Sequence, residues 1–264
     1  MSRLTGRTVL LTGASGGIGA ALCDALVGAD AWVIAVGRDA ARLEAIAARH
    51  PPGRVSVVQA DLATDAGRDA LVASVSRRDI TPSVLVLAHA MGGFGLFEDQ
   101  SAEALRALVD TNLTGALLLI HALLPTLRMH PRPAVVAVGS TFGSLAFPGF
   151  AAYSATKFGL RGLMEGLSRE HADSGLRFQY LSPRATRTAF NTPQAEAMNR
   201  EMKVAQDDPD AVAARLVAAI ADGRRRLQIG WPECLFARLN GVLPGLIDRN
   251  LRGQLAIVRR HART

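Results

Sequence analysis

Thr8-Val-Leu-Leu-Thr12, then Gly13-Ala-Ser-Gly-Gly-Ile-Gly19, a helical stretch at Ala20–Val27 and the apolar run Trp32–Val36 decide the fold. Each apolar run is short enough for a buried strand, and the glycines between the first run and the helix supply a tight turn. Strand, turn, helix and strand make a βαβ unit. Glycines in such a turn let the backbone approach a pyrophosphate, whose charge the free N–H groups of the following helix stabilise. Gly13, Ser15, Gly17, Ile18 and Gly19 are therefore candidates to line a dinucleotide; the turn taken alone also fits a glycine-rich connection with no ligand.

The alternation continues outward from this unit. Helical pattern at Ala40–Ala48, strand at Val55–Gln59, helix over about 64–77, strand at Val84–Ala88 and one long helix over about 102–128 precede a strand at Val135–Gly139. A helix then starts near Ala151, Leu176–Leu181 makes a further strand, helices follow near 192–203 and 209–222, and Leu227–Ile229 is a short last strand. Strands alternating with helices predict a Rossmann-type doubly wound α/β fold: a parallel sheet of about seven strands with helices on both faces and right-handed crossovers. Residues 1–230 are read as one domain and 231–264 as its basic amphipathic helical extension. In that extension Leu235, Phe236, Leu239, Val242 and Leu243 recur at helical spacing. Pro244 then opens a second helix, in which Leu246, Ile247, Leu251, Leu255 and Val258 repeat the pattern. The extension is expected to pack on the body or on another subunit in preference to a membrane.

The 264 residues are enough for one well-buried α/β domain, and 49% hydrophobic with 20% charged residues reads as globular. No apolar run is expected to reach the roughly 18 residues of a membrane span. The first apolar run is too short for a signal segment, so a cytoplasmic protein is expected. Cys23 and Cys234 fit no metal or redox spacing. The net charge of +7 resides in residues 224–264, where nine Arg face only Glu233 and Asp248. A solvated helix face is the favoured reading of that bias, with no nucleic-acid partner expected. Of 30 basic residues only Lys157 and Lys203 are lysines.

Lys157 stands four residues after Tyr153, so the two share a helix face, and the ammonium is expected to lower the phenol's pKa. Ser140 ends the run Ala134-Val-Val-Ala-Val-Gly139 and is placed to hold an oxygen that receives the phenol's proton, which points to carbonyl chemistry. At the end of the second strand Arg38 follows Gly37. An Arg there pairs with a ribose 2′-phosphate, so NADP is preferred over NAD. Asp39 is read as a helix N-cap, with a ribose contact as the alternative. Asp61, beside Leu62, is either a partner of the adenine amino group or another helix cap.

Taken in order, Thr12–Gly19, Asp61, Asn112, Ser140, Tyr153 and Lys157 resemble the motifs of the short-chain dehydrogenase/reductase family over about residues 6–190. The resemblance implies an oxidoreductase with Tyr153 as general acid/base and Ser140 positioning the substrate oxygen. Lys157 would bind the nicotinamide ribose and lower the Tyr153 pKa, and Asn112 would hold a water that links Lys157 to solvent. It also places Ala88 and Thr188 against the cofactor, and implies a homodimer or homotetramer through the helices beginning near Ser101 and Ala151. Two segments depart from the family. Ala88-His-Ala-Met91 stands where Asn-Asn-Ala-Gly is usual, so a sheet-stabilising amide is missing and His89 is read as a satisfied core or rim histidine. Arg184 replaces the Gly of Pro-Gly and is expected either to touch the cofactor phosphates or to narrow the substrate entrance.

Six of the nine Phe, namely Phe94, Phe97, Phe142, Phe147, Phe150 and Phe190, fall in the loops at the carboxyl ends of the strands, where open α/β sheets bind ligands. They are expected to line an apolar pocket for a lipid-like ketone or aldehyde; the same rings can instead anchor loops or subunit contacts. The favoured reading is an NADP-dependent reductase of small-molecule carbonyls. The alternative is a nonenzymatic NADP-binding regulator on the same fold.

Overall fold

The computed structural model describes residues 3–263. Its strands are β1 (Thr8–Thr12), β2 (Trp32–Gly37), β3 (Val55–Gln59), β4 (Val84–Leu87), β5 (Ala134–Val138), β6 (Arg177–Ser182) and β7 (Arg226–Gln228). Its helices through the body are α1 (Gly17–Gly28), α2 (Ala40–Ala47), α3 (Asp65–Ser76), α4 (Ala102–Val109), α5 (Gly115–Arg128), α6 (Ala151–Glu170), α7 (Pro193–Glu201) and α8 (Pro209–Asp222). The tail forms α9 (Glu233–Asn240), α10 (Pro244–Arg252) and α11 (Leu255–Ala262).

All seven strands run parallel in the order β3-β2-β1-β4-β5-β6-β7. The period-two alternation of each strand feeds two cores. Val9 and Leu11 of β1 face one layer, with Leu22 and Leu26 of α1, Leu43 of α2 and Leu216 of α8. Leu10 faces the other, with Leu71 of α3, Leu119 and Leu123 of α5 and Leu160 of α6. Burial on both faces explains why β1, β4 and β5 read as continuous apolar runs. The chain reverses direction across the sheet between β1 and β4, which opens the crevice above their carboxyl ends.

Three expectations are corrected here. The single helix over 102–128 is two, because a π-turn at Asp110–Thr114 separates α4 from α5. The helical run Ala102–Arg128 is long and apolar enough, by length and composition, to cross a membrane, contrary to the sequence reading. Its Leu119, Ile120, Leu123 and Leu127 are nevertheless buried in the second core, as in a core helix. The tail has three helices instead of two: α10 ends at Arg252 with Gly253 as its C-cap, and α11 begins at Leu255.

Candidate active site

The turn after β1 is shaped by its glycines. Gly13 holds φ +66°, and a Cβ there would lie 2.6 Å from the backbone of His89; a Cβ at Gly19 would overlap the Gly13 carbonyl. Gly16 caps α1 without a side-chain acceptor, which leaves the first N–H groups of that helix for a ligand. Gly17 lies against Thr188, with room for no Cβ between them. Gly13→Ala is expected to cost about 2 kcal/mol or more, because it adds both backbone strain and overlap. It should also abolish measurable dinucleotide binding, read by thermal unfolding and fluorescence titration; native-like affinity would contradict this account of the turn.

A single cleft of about 720 Å³ runs along the carboxyl ends of the strands. Near β1–β3 it is lined by Gly13, Ser15, Gly17, Ile18, Gly19, Arg38, Asp61 and Leu62, and further along by Ala88, Ser140, Tyr153, Lys157 and Thr188. Arg42, four residues after Arg38, also lines it and was not anticipated from the sequence. Asp39 caps α2 by accepting from the Arg42 N–H at 3.0 Å, as the sequence reading favoured. Asp61 is not a helix cap. Thr64 caps α3, while Asp61 Oδ1 accepts from Ala63 N–H at 3.1 Å and its residue stays at the cleft wall.

Beyond Tyr153 the cleft is walled by Phe142, Phe147, Phe150 and Phe190, with Met198 and Met202 from α7 and its end. Tyr153 makes edge contacts with Phe142, Phe150 and Phe190. Two of the six Phe do not line the cleft. Phe94 packs behind Phe150 with centroids 5.1 Å apart, and Phe97 is 58% exposed on the turn leading to α4. Met198 and Met202 were missed because helical apolar residues carry no mark that separates a pocket wall from a core face.

Tyr153 and Lys157 are both buried on α6. The ammonium nitrogen lies 5.7 Å from the phenol ring centroid, and it donates to the Val138 carbonyl at 3.3 Å. Burial pushes the Tyr153 phenol well above its ordinary range, and a hydrogen bond with Ser140 opposes that shift. Burial also pulls the Lys157 ammonium down to about 8. In the protein alone desolvation therefore governs both groups, raising the phenol and lowering the ammonium. Ser140 Oγ accepts from Phe142 N–H at 3.1 Å, which orients the hydroxyl. Tyr180, a further residue unmarked in the sequence, donates to the Lys157 carbonyl at 3.1 Å and occupies the space beside Gly139 and Gly143.

The depressed Lys157 value has a consequence for stability. Between about 8 and the ordinary 10.5 the unfolded chain binds more protons, so folding carries a penalty that is full below pH about 8 and is lost as pH rises towards 10.5. Lys157→Met removes that penalty. Its stability relative to the unmodified chain should therefore fall by roughly 2–4 kcal/mol between pH 7 and pH 10.5 in denaturant titrations. A difference that does not change with pH would contradict a buried, destabilised ammonium.

Asn112 sits in the π-turn and is buried. Its Oδ1 accepts from Met91 N–H at 2.8 Å, and its Nδ2 donates to the Met91 carbonyl at 3.0 Å and to Thr156 Oγ1 at 3.3 Å. The side chain thus clamps the loop after β4 to α6, and none of these bonds runs to Lys157. His89 bridges β1 and β4 in place of the missing amide, with Nδ1 2.6 Å from Thr12 Oγ1. The same oxygen lies 3.3 Å from the Val86 carbonyl and accepts from Ala88 N–H at 3.2 Å, so His89, Thr12 and the end of β4 form one network. Burial and nearby Lys157 push the imidazole down to about 4, so it is neutral near pH 7. A hydrogen bond with the Thr111 backbone and the charge of Asp61 oppose that shift. Arg184 lines the cleft, as a residue narrowing its entrance would, and pairs there with Asp207 at 2.7 Å and Glu233 at 3.4 Å, tying the loop after β6 to the start of α9.

The glycine cradle, the uncapped α1 N-terminus and two guanidinium groups at the far end of the cleft fit a phosphorylated dinucleotide. A family model for short chain dehydrogenase matches residues 7–199. The oxidoreductase UcpA of Salmonella typhimurium is 30% identical over 83% of this chain and 82% of its own. Among solved structures, a short-chain dehydrogenase from Streptomyces avermitilis superposes with TM-score 0.79 at 31% identity, covering 98% of each chain. A short-chain dehydrogenase from Sphingobium yanoikuyae in complex with NADPH gives 0.77 at 29% identity, covering 92% of this chain and 95% of the other. The protein belongs to the short-chain dehydrogenase/reductase family of oxidoreductases.

Proposed function

We propose that the protein is an NADPH-dependent reductase of an apolar or lipid-like ketone or aldehyde. The observation that carries this reading is the position of Tyr153, Ser140 and Lys157 within one cleft, between a stretch bordered by Arg38 and Arg42 and a stretch walled by Phe and Met side chains. The NADPH complex of the Sphingobium relative supports the choice of cofactor. Arg38 and Arg42 would hold the 2′-phosphate, and the turn at Gly13–Gly19 the pyrophosphate. When bound, the nicotinamide supplies the hydride.

The chain's own residues supply the rest. As negative charge grows on the substrate oxygen, two hydrogen bonds must converge on it. The Tyr153 phenol is raised further by burial and is protonated through the neutral range, the form that donates to a carbonyl oxygen. Ser140, oriented by Phe142, provides the second bond. Lys157, held against the Val138 carbonyl, offers positive charge close to the phenolate that remains. Asn112 and His89 hold the loop after β4 in register with α6 and β1. Half-exposed Val109, Leu117, Leu118 and Phe158 on α4–α6 support a homo-oligomer formed through that face.

NADPH consumption across a carbonyl panel tests the substrate class. Aromatic and long-chain ketones or aldehydes should exceed polyhydroxylated carbonyls by about 10²-fold or more in kcat/KM. Equal or inverted preference would overturn the apolar assignment.

A further inference from the structure

We propose that the crest formed by α9, the turn at 241–243 and the start of α10 docks on an anionic bilayer surface. Trp231, Val242, Leu243 and Leu246 are exposed to 70%, 76%, 55% and 58%. The tail helices are apolar on two sides, and the cleft accounts for only one of them. Phe236 of α9 and Ile247 and Leu251 of α10 close the cleft, and Asn240 Nδ2 fastens α9 to the Ser144 carbonyl at 3.1 Å. Leu235, Leu239 and Val242 recur at positions i, i+4 and i+7, one residue round from the Phe236–Asn240 row, and this second face leads into exposed Leu243 and Leu246. The sequence reading, in which the tail packs on the body, holds for α11, whose Val258 is buried with Phe150 and Tyr153. It holds also for the inner side of α9 and α10, at Phe236, Asn240 and Ile247, and leaves their outer side exposed.

Charge selects the occupant. Arg238, Arg249 and Arg252 are exposed beside these apolar residues and make no ion pair among the described residues, whereas Asp248 is the only acid from 234 to 263. A second copy seated symmetrically on this face would set Arg against Arg. An anionic bilayer instead takes the Leu and Val side chains below its headgroups, Trp231 at headgroup depth, and the guanidinium groups against lipid phosphates. The face lies on the outer side of the helices that wall the cleft.

The test is cosedimentation of the full chain with vesicles of phosphatidylcholine alone or mixed with phosphatidylglycerol. Binding is expected only to the mixed vesicles and should weaken as salt is raised. It should fall about tenfold or more in Val242→Glu/Leu243→Glu and likewise in Arg249→Glu/Arg252→Glu. None of these four side chains lines the cleft, so retained NADPH binding reports intact folding. No vesicle binding, equal binding to both vesicle types, or binding unchanged in either double variant would overturn the proposal. So would self-association of the lipid-free chain that Val242→Glu/Leu243→Glu abolishes, because it would assign the face to a second copy.

Discussion

Tyr153→Phe is expected to lower kcat for NADPH-driven carbonyl reduction by about 10³–10⁴-fold while NADPH affinity stays within about twofold. Phenylalanine retains the ring that packs edge-on against Phe142, Phe150 and Phe190, so the cleft keeps its shape. The substitution removes a proton donor and the hydrogen bond with Ser140. Both matter most when charge builds on the substrate oxygen, so the loss belongs in kcat. The buried hydroxyl is already poorly solvated, and its removal should change stability by no more than about 1 kcal/mol. A variant that loses only KM, or retains kcat, would show that another group donates the proton.

The second large effect is on cofactor choice. Arg38→Asp combined with Arg42→Ser should lower the NADPH-over-NADH ratio of kcat/KM by about 10²–10⁴-fold. That range corresponds to the loss of two charge-assisted bonds to a phosphate at about 1.5–3 kcal/mol each. Both side chains are exposed at the cleft rim, and the ion pair of Arg42 with Asp39 is solvent-exposed and weak, so neither guanidinium is committed elsewhere. The new carboxylate additionally favours a free ribose 2′-hydroxyl. Equal loss with both nucleotides would instead mean that these residues serve the fold of the turn.

The parts of this site that were legible are those fixed by local spacing. The glycines of Gly13–Gly19 lie between a strand and a helix, and Tyr153 and Lys157 share a helix face, so short-range geometry already placed them. Ser140 follows a buried strand directly. What was not legible depends on distant partners or on direction. Arg184 is committed to acids 23 and 49 residues away, which no local pattern marks. Phe94 and Phe97 occupy the right loops but do not line the cleft, because a loop residue's orientation is set by tertiary packing. Gly253 is compatible with a continuous helix by periodicity, and the separate α11, which packs against α7, was not legible from it. That burial governs the Tyr153 phenol and the Lys157 ammonium was not legible, because spacing reports proximity and says nothing of desolvation. His89 took over a sheet-bridging role that the sequence reading regarded as lost, since a ring nitrogen can reach Thr12 as an amide would.

The most direct test of the account follows the hydride itself. NADPH carrying deuterium at the transferable position of C4 is incubated with the full chain and the best apolar carbonyl of the panel, and the alcohol is examined by mass spectrometry. The account predicts one deuterium on the carbinol carbon, formed by the unmodified chain and not detectably by Tyr153→Phe. Tight NADPH binding with no labelled alcohol from any carbonyl, and no oxidation of the matching alcohols, would contradict it and favour a nucleotide-binding regulator.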